Sequence, residues 1–219
     1  MAPTKDEIAV CIPTFRRTHM LQLLLRNLAV QITDGLFEIS VVVVDNDADG
    51  SARETVEQLK KELGLDLVHD VELERTIPAV RNHALRLARG NYIGIIDDDE
   101  FPPTEWLLTL YRAIRTFAVD GALGPVHPFF ETQPPAWLVR SRLCERPVYH
   151  TGTLLQWNQT RTGNVLLMKE VFDKHGRLFD VQMKTGGEAG SSSNRPCARV
   201  AGLWRSRRLL VYEIVPPER

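Results

Sequence analysis

The chain has 219 residues, of which 43% are hydrophobic and 25% charged, enough for one domain with a full apolar core. Its net charge of −1, with both signs scattered along the length, excludes the one-sided basic surface of a nucleic-acid binder. No apolar run approaches the roughly 18 residues of a spanning helix, and the opening MAPTKDE lacks the apolar core of a signal peptide. A cytoplasmic protein is expected, with a peripheral seat at the inner face of the membrane left open.

Ile8 to Ile12 is a short apolar run closed by Pro13. Cys11 within it reads as a small buried hydrophobe, because Cys144 and Cys197 lie far off without disulfide or metal-ligand spacing. After the polar Thr14-Phe15-Arg16-Arg17, residues Met20, Leu21, Leu24, Leu25 and Leu28 recur at helical spacing. Ile39 to Val44 is nearly all β-branched and stops at Asp45-Asn46-Asp47, which suits a strand covered on both faces. Ser51 to Leu63 predicts a helix capped by Ser51 with Glu54 three residues on, and Leu65 to Val68 a third strand. Ile77 to Arg89 predicts a helix ended by Gly90-Asn91. Tyr92 to Ile96 is a strand that runs into Asp97-Asp98-Asp99-Glu100. A helix carrying Trp106, Leu107, Leu110, Ile114 and Phe117 follows Pro102-Pro103. Gly121 to Val126, Asn164 to Met168 and residues 209–215 predict further strands, while residues 128–160, rich in proline and aromatics, predict a long functional loop.

Alternating strands and helices over roughly 120 residues predict an α/β fold, with a mostly parallel central sheet flanked by helices. Ligands of such sheets lie beyond the carboxyl ends of the strands. Thr14, Asp45 and Asp97 all follow strands, so they should meet in one crevice. Four adjacent carboxylates at a strand end also need a positive neighbour. In an extended segment Asp97 and Asp99 would face one side together. Hard cations such as Mg2+ or Mn2+ take carboxylate oxygens and complete their shell with phosphate and water. An acidic turn capping the next helix is the alternative. No GxGxxG follows the first strand and no GxxxxGK[ST] occurs, which leaves a metal as the main phosphate anchor.

IPTFRR (12–17), VVVVDND (41–47), RNHAL (81–85), IIDDDEFPPTEW (95–106), TGN (162–164) and KTGGE (184–188) carry a family pattern. Over about residues 7 to 188 the sequence resembles the family 2 glycosyltransferases. The resemblance implies a GT-A fold in one catalytic domain over 1–219, with a nucleotide-sugar-binding half (1–120) and an acceptor half (121–219). It implies inverting transfer of a sugar from a nucleoside diphosphate donor, UDP-type favoured, to a glycan or lipid-linked acceptor in polysaccharide biosynthesis. Thr14 and Asp45 would contact base or ribose, although Asp45 reads equally as a strand-terminal turn residue. Arg81, Asp97 and Asp98 would face the donor, with Arg75 and Asn82 as weaker candidates. Asp97 and Asp99 match the two fixed acids of the family's DxD, and Asp99 is the better metal ligand. Trp137, Trp157 and Asn164 are candidates for the acceptor side, although tryptophans also pack loops. Glu188 would take the acceptor's proton, or serve as a helix cap.

The acid that usually follows Gly-Gly-Glu is replaced by Ala189. Beyond it Gly190, Ser191-Ser192-Ser193, Asn194 and Pro196 interrupt an expected amphipathic helix. We read residues 189–208 as out of frame, against the alternative of a divergent loop that would leave catalysis weak or absent. Arg219 follows the last strand at once, which raises truncation, and PPER is too short to decide it. Two other readings stay open: a donor-binding protein of the same fold without turnover, and a metal-dependent phosphohydrolase. The second lacks its usual Asp-x-Asp-x-Thr stretch and clustered histidines.

Overall fold

The computed structural model describes residues 5–141, 144, 147, 149–156, 159–173, 179, 200–202 and 211–215. The two aliphatic runs near the start become long parallel neighbours. β1 (Asp6–Thr14) pairs with β2 (Phe37–Asp45), from Asp6 opposite Phe37 to Thr14 opposite Asp45. β3 (Asp66–Val71) lies parallel beyond β2, and β4 (Tyr92–Ile95) lies parallel on the other side of β1. Parallel neighbours need a crossover, and three helices supply it: α1 (Thr18–Ala29), α2 (Arg53–Leu63) and α3 (Ile77–Leu87). Strand alternation sends Ile8, Val10 and Ile12 into one core and Ala9 and Cys11 into another. α1, α2 and α4 (Trp106–Phe117) cover the first through Leu21, Leu25, Val56, Leu59, Trp106 and Leu110. α3 covers the second through Val80 and Ala84.

Past β4 the sheet changes direction. β9 (Val165–Met168) runs antiparallel between β4 and β6 (Gly121–Leu123). β10 (Val200–Gly202) and β8 (Thr153–Leu155) complete the order β3-β2-β1-β4-β9-β6-β10-β8. A smaller sheet sets β11 (Val211–Ile214) between β5 (Glu100–Phe101) and β7 (Val126–Phe129).

Several expectations are corrected. The strand read over residues 121–126 divides at Gly124-Pro125 into β6 and β7, which join different sheets. Pro125 has no N–H for a ladder, and a Cβ at Gly124 would stand 2.6 Å from the Asn164 amide. The loop read over 128–160 contains α5 (Ala136–Ser141) as well as β8. α2 begins at Arg53 without a side-chain cap at its own Ncap residue, Ala52. Of residues 189–208, only 200–202 are described, as β10. Among the described residues no helix is long and apolar enough to cross a membrane.

Candidate functional site

Because β1, β2 and β4 are parallel, their carboxyl ends share one edge. Thr14, the last residue of β1, donates from Oγ1 to Asp98 Oδ2 at 2.7 Å. The expected meeting of strand ends is present, with Asp98 rather than Asp97 as the point of contact with Thr14. The acids, however, are not extended. Glu100 N donates to Asp97 O at 3.1 Å, so Asp97 to Glu100 form a tight turn. Asp97 and Asp99 therefore do not share a partner as alternation would have it. Asp97 Oδ1 accepts from Arg81 Nη2 at 2.7 Å, and Asp99 Oδ2 from Arg17 Nη1 at 2.5 Å. The same Arg17 nitrogen reaches Asp98 Oδ1 at 3.1 Å. The turn follows from tertiary pairing: β5 starts at Glu100 to meet β11, and Ile214 N donates to Asp99 O at 2.9 Å.

The positive neighbours are thus two arginines, and they do not fully compensate the acids. Burial pushes the Asp98 carboxyl up to about 6, against the pull of Thr14 and Arg17. Burial also raises Asp99, opposed by Arg17. Glu100, fully enclosed, goes well above the usual carboxylate range through burial and then the charge of Asp97. It accepts Asp97 N at 3.1 Å, and Gly163 lies so close that a Cβ there would stand 2.5 Å from Glu100 Oε1. Burial acts against the charge of Arg17, but Asp98 and Asp99 outweigh it and raise that guanidinium. Among the described residues no three His, Cys, Asp or Glu side chains form a metal cage. A divalent ion held by one or two carboxylates together with phosphate oxygens needs none. Asp99 and Asp97 fit that mode, since each already holds a cationic group at the crevice edge.

Arg16 is in the left-handed region at φ 54, which sends its side chain away from that of Arg17. Its Nε donates to Asp47 Oδ2 at 2.9 Å. Phe15, 43% exposed, lies against two guanidiniums, those of Arg16 at 5.3 Å and Arg75 at 5.9 Å from the ring centroid. Sequence reasoning gave Phe15 and Arg17 no role, although both stand in the polar stretch after the first strand and in the IPTFRR segment.

Asp45 follows its turn-residue alternative. It is fully buried, with Oδ1 accepting Asp47 N at 2.9 Å and Oδ2 accepting Ser51 Oγ at 3.1 Å and Ala52 N at 2.7 Å. The carboxylate thereby ties down Ser51 and Ala52, the residues that lead into α2. Asn164 is corrected as an acceptor contact. It is fully buried, accepting from Trp106 Nε1 and donating to Pro125 O, each at 2.7 Å. Asn82 points inward to Phe179. Trp137 stands 54% exposed on α5, a helix with no buried residue. Trp157 and Glu188 lie outside the described residues.

An acidic turn flanked by arginines, at the carboxyl edge of a parallel sheet, is where α/β folds receive charged ligands. The chain belongs to glycosyl transferase family 2, whose family model matches residues 9–176. Succinoglycan biosynthesis protein ExoM of Rhizobium meliloti (strain 1021) is 32% identical over 188 residues, covering 83% of this chain and 58% of that protein. The crystal structure of S. aureus TarS 1-349 with UDP-GlcNAc matches with a TM-score of 0.72 at 18% identity, over 97% of this chain and 60% of that one. Mannosyltransferase PcManGT from Pyrobaculum calidifontis, in complex with GDP-Man and Mn2+, matches with a TM-score of 0.61 at 19% identity, over 99% and 59%. These likenesses give the fold as GT-A. The chain spans less than two thirds of the length of each of the three.

Proposed function

We propose that the chain is a nucleotide-sugar-dependent glycosyltransferase, moving a sugar with inversion to a glycan or lipid-linked acceptor in polysaccharide synthesis. The observation that carries this reading is the convergence of Thr14, Arg17, Arg81 and the Asp97–Asp99 turn at one sheet edge. A donor diphosphate would pair with the two arginines and leave the acids to a divalent cation, Mn2+ or Mg2+. Asp99 and Asp97 would hold that cation, and Asp98 would stay against Thr14 and face the donor. The names of the relatives support a diphosphate donor, a cation and a polysaccharide product: UDP-GlcNAc with TarS, GDP-Man and Mn2+ with PcManGT, succinoglycan biosynthesis for ExoM. A bound cation would stabilise the charge that grows on the departing diphosphate.

In this reading residues 1–120 serve the donor and 121–219 the acceptor. Thr14 closes the ribose end, and the exposed face of Phe15 beside Arg75 offers a stacking surface for a base. Trp137 presents an aromatic face to acceptor sugars. Glu188 takes the proton of the acceptor hydroxyl as that oxygen attacks the anomeric carbon. A lipid-linked acceptor would set the protein at the inner face of the membrane. Calorimetry with UDP and Mn2+, run beside a donor-turnover assay, tests the reading, and a chain that binds neither refutes it. Binding without turnover would make it a donor-binding protein, a second reading favoured by Ala189 in the place of the usual acid.

A further inference from the structure

Arg81 and Asn82 are consecutive on α3, and each is only 7% exposed. Their neighbours Val80 and Ala84 are core residues, so this stretch of helix buries polar groups that apolar side chains would bury more cheaply. Asn82 compensates by taking both peptide groups of one distant residue. Its Nδ2 donates to Phe179 O at 2.8 Å, and its Oδ1 accepts from Phe179 N at 3.2 Å. The pair works as a one-residue strand pairing made by a side chain. Phe179, held in this way, is 2% exposed and packs into the core beside Val80 and Ala84.

The ring of Phe179 has a second neighbour. The Arg81 guanidinium carbon lies 5.9 Å from its centroid, while Nη2 of the same group donates to Asp97 Oδ1 at 2.7 Å. A planar guanidinium can meet a ring and donate to an acid at the same time, and Arg81 has both neighbours. We propose that Asn82 and Phe179 are positioning residues for Arg81, holding it where the donor diphosphate arrives; this rests on the transferase reading above. A long, rotamer-rich side chain fixed before binding costs less to order when the ligand comes. Asn82 fixes the backbone of Phe179, Phe179 supports the guanidinium, and the guanidinium meets the phosphate.

Calorimetry with UDP and Mn2+ on a double-mutant cycle reads this out. Arg81→Ala should weaken UDP binding about tenfold, as for a lost charge-assisted hydrogen bond. Asn82→Ala should weaken it about threefold in the wild-type background and not further once Arg81 is gone. Phe179→Leu, crossed with Arg81→Ala in the same way, should repeat that pattern, and it decides the question if Asn82→Ala does not fold. A purely structural role would give the same weakening in both backgrounds, and that result overturns the proposal. So does UDP affinity that ignores Asn82→Ala and Phe179→Leu, or that ignores Arg81→Ala. Failure of the wild-type chain to bind UDP would instead remove the donor site itself, and the positioning role with it.

Discussion

Asn164 is fully buried at φ 50, with its amide oxygen on Trp106 Nε1 and its amide nitrogen on Pro125 O. Asparagine visits the left-handed region with less strain than alanine. Asn164→Ala would leave the buried indole N–H without its acceptor and add backbone strain. We expect a loss of about 2–4 kcal/mol, read as a lower urea midpoint with an unchanged slope. A shift worth less than about 1 kcal/mol would mean that Trp106 finds another acceptor. Cys11 offers a check of the opposite face of the sheet. Burial pushes its thiol up from 9.0 to about 12. The native state holds that proton to higher pH than the unfolded chain does. Its contribution to stability is therefore intact below pH 9.0 and lost as pH rises toward about 12. At pH 8 Cys11 should resist a maleimide until the chain unfolds, while the half-buried Cys144 is labelled in the native state. Peptide mass spectrometry separates the two, and fast native labelling of Cys11 would contradict a buried β1.

At the scale of elements, the strands and helices most legible in the sequence were those whose partners impose one simple rule. Strands covered on both faces need unbroken apolar runs, so β1 and β2 were visible, and pairing extended them outward to Thr14 and Asp45. The start of α3 agrees with the helix read from Ile77, and the structure supplies the reason: Thr76 accepts from Ala79 N and Pro78 suits a first turn. What local pattern does not contain is a partner far along the chain. The acids turn because β5 pairs with β11, whose residues are more than a hundred positions away. Asp45 stood between donor contact and turn residue, and Asn164 was read as reaching the acceptor, because side-chain direction depends on such packing. Gly90 shows the same dependence and can be tested. It has φ 96, and a Cβ there would stand 2.6 Å from the carbonyl oxygen of Glu7, which accepts from Asn91 N while Glu7 N donates to Asn91 Oδ1. Gly90→Ala should cost about 2–3 kcal/mol in chemical unfolding. Gly64, with φ 66 and open space around it, supplies the comparison: Gly64→Ala should cost only about 1 kcal/mol. Equal losses would show that the Glu7 contact relaxes away.

For the molecule as a whole, the proposed function would make its two ligands, diphosphate and cation, interdependent through the charges at the sheet edge. Arg17 sits on Asp98 and Asp99, and Arg81 on Asp97. Loading Mn2+ alone requires those arginines to give up the acids, and loading UDP alone brings a diphosphate toward uncompensated carboxylates. Each ligand removes the obstacle to the other. Binding should therefore be cooperative, and by linkage equally so in both directions, with a coupling of about 1–3 kcal/mol. UDP and Mn2+ together should raise the melting temperature by more than the sum of their separate shifts, because a ligand's stabilisation of the fold grows with the logarithm of its affinity, which the coupling raises. Asp99→Asn should remove the Mn2+-dependent part and leave the response to UDP alone. Arg17→Ala should do the reverse for the metal, tightening Mn2+ binding without UDP and shrinking the coupling. Shifts that simply add in the wild-type chain would mean that the arginines do not hold the acids against a cation, and that the crevice is built for one charged ligand only.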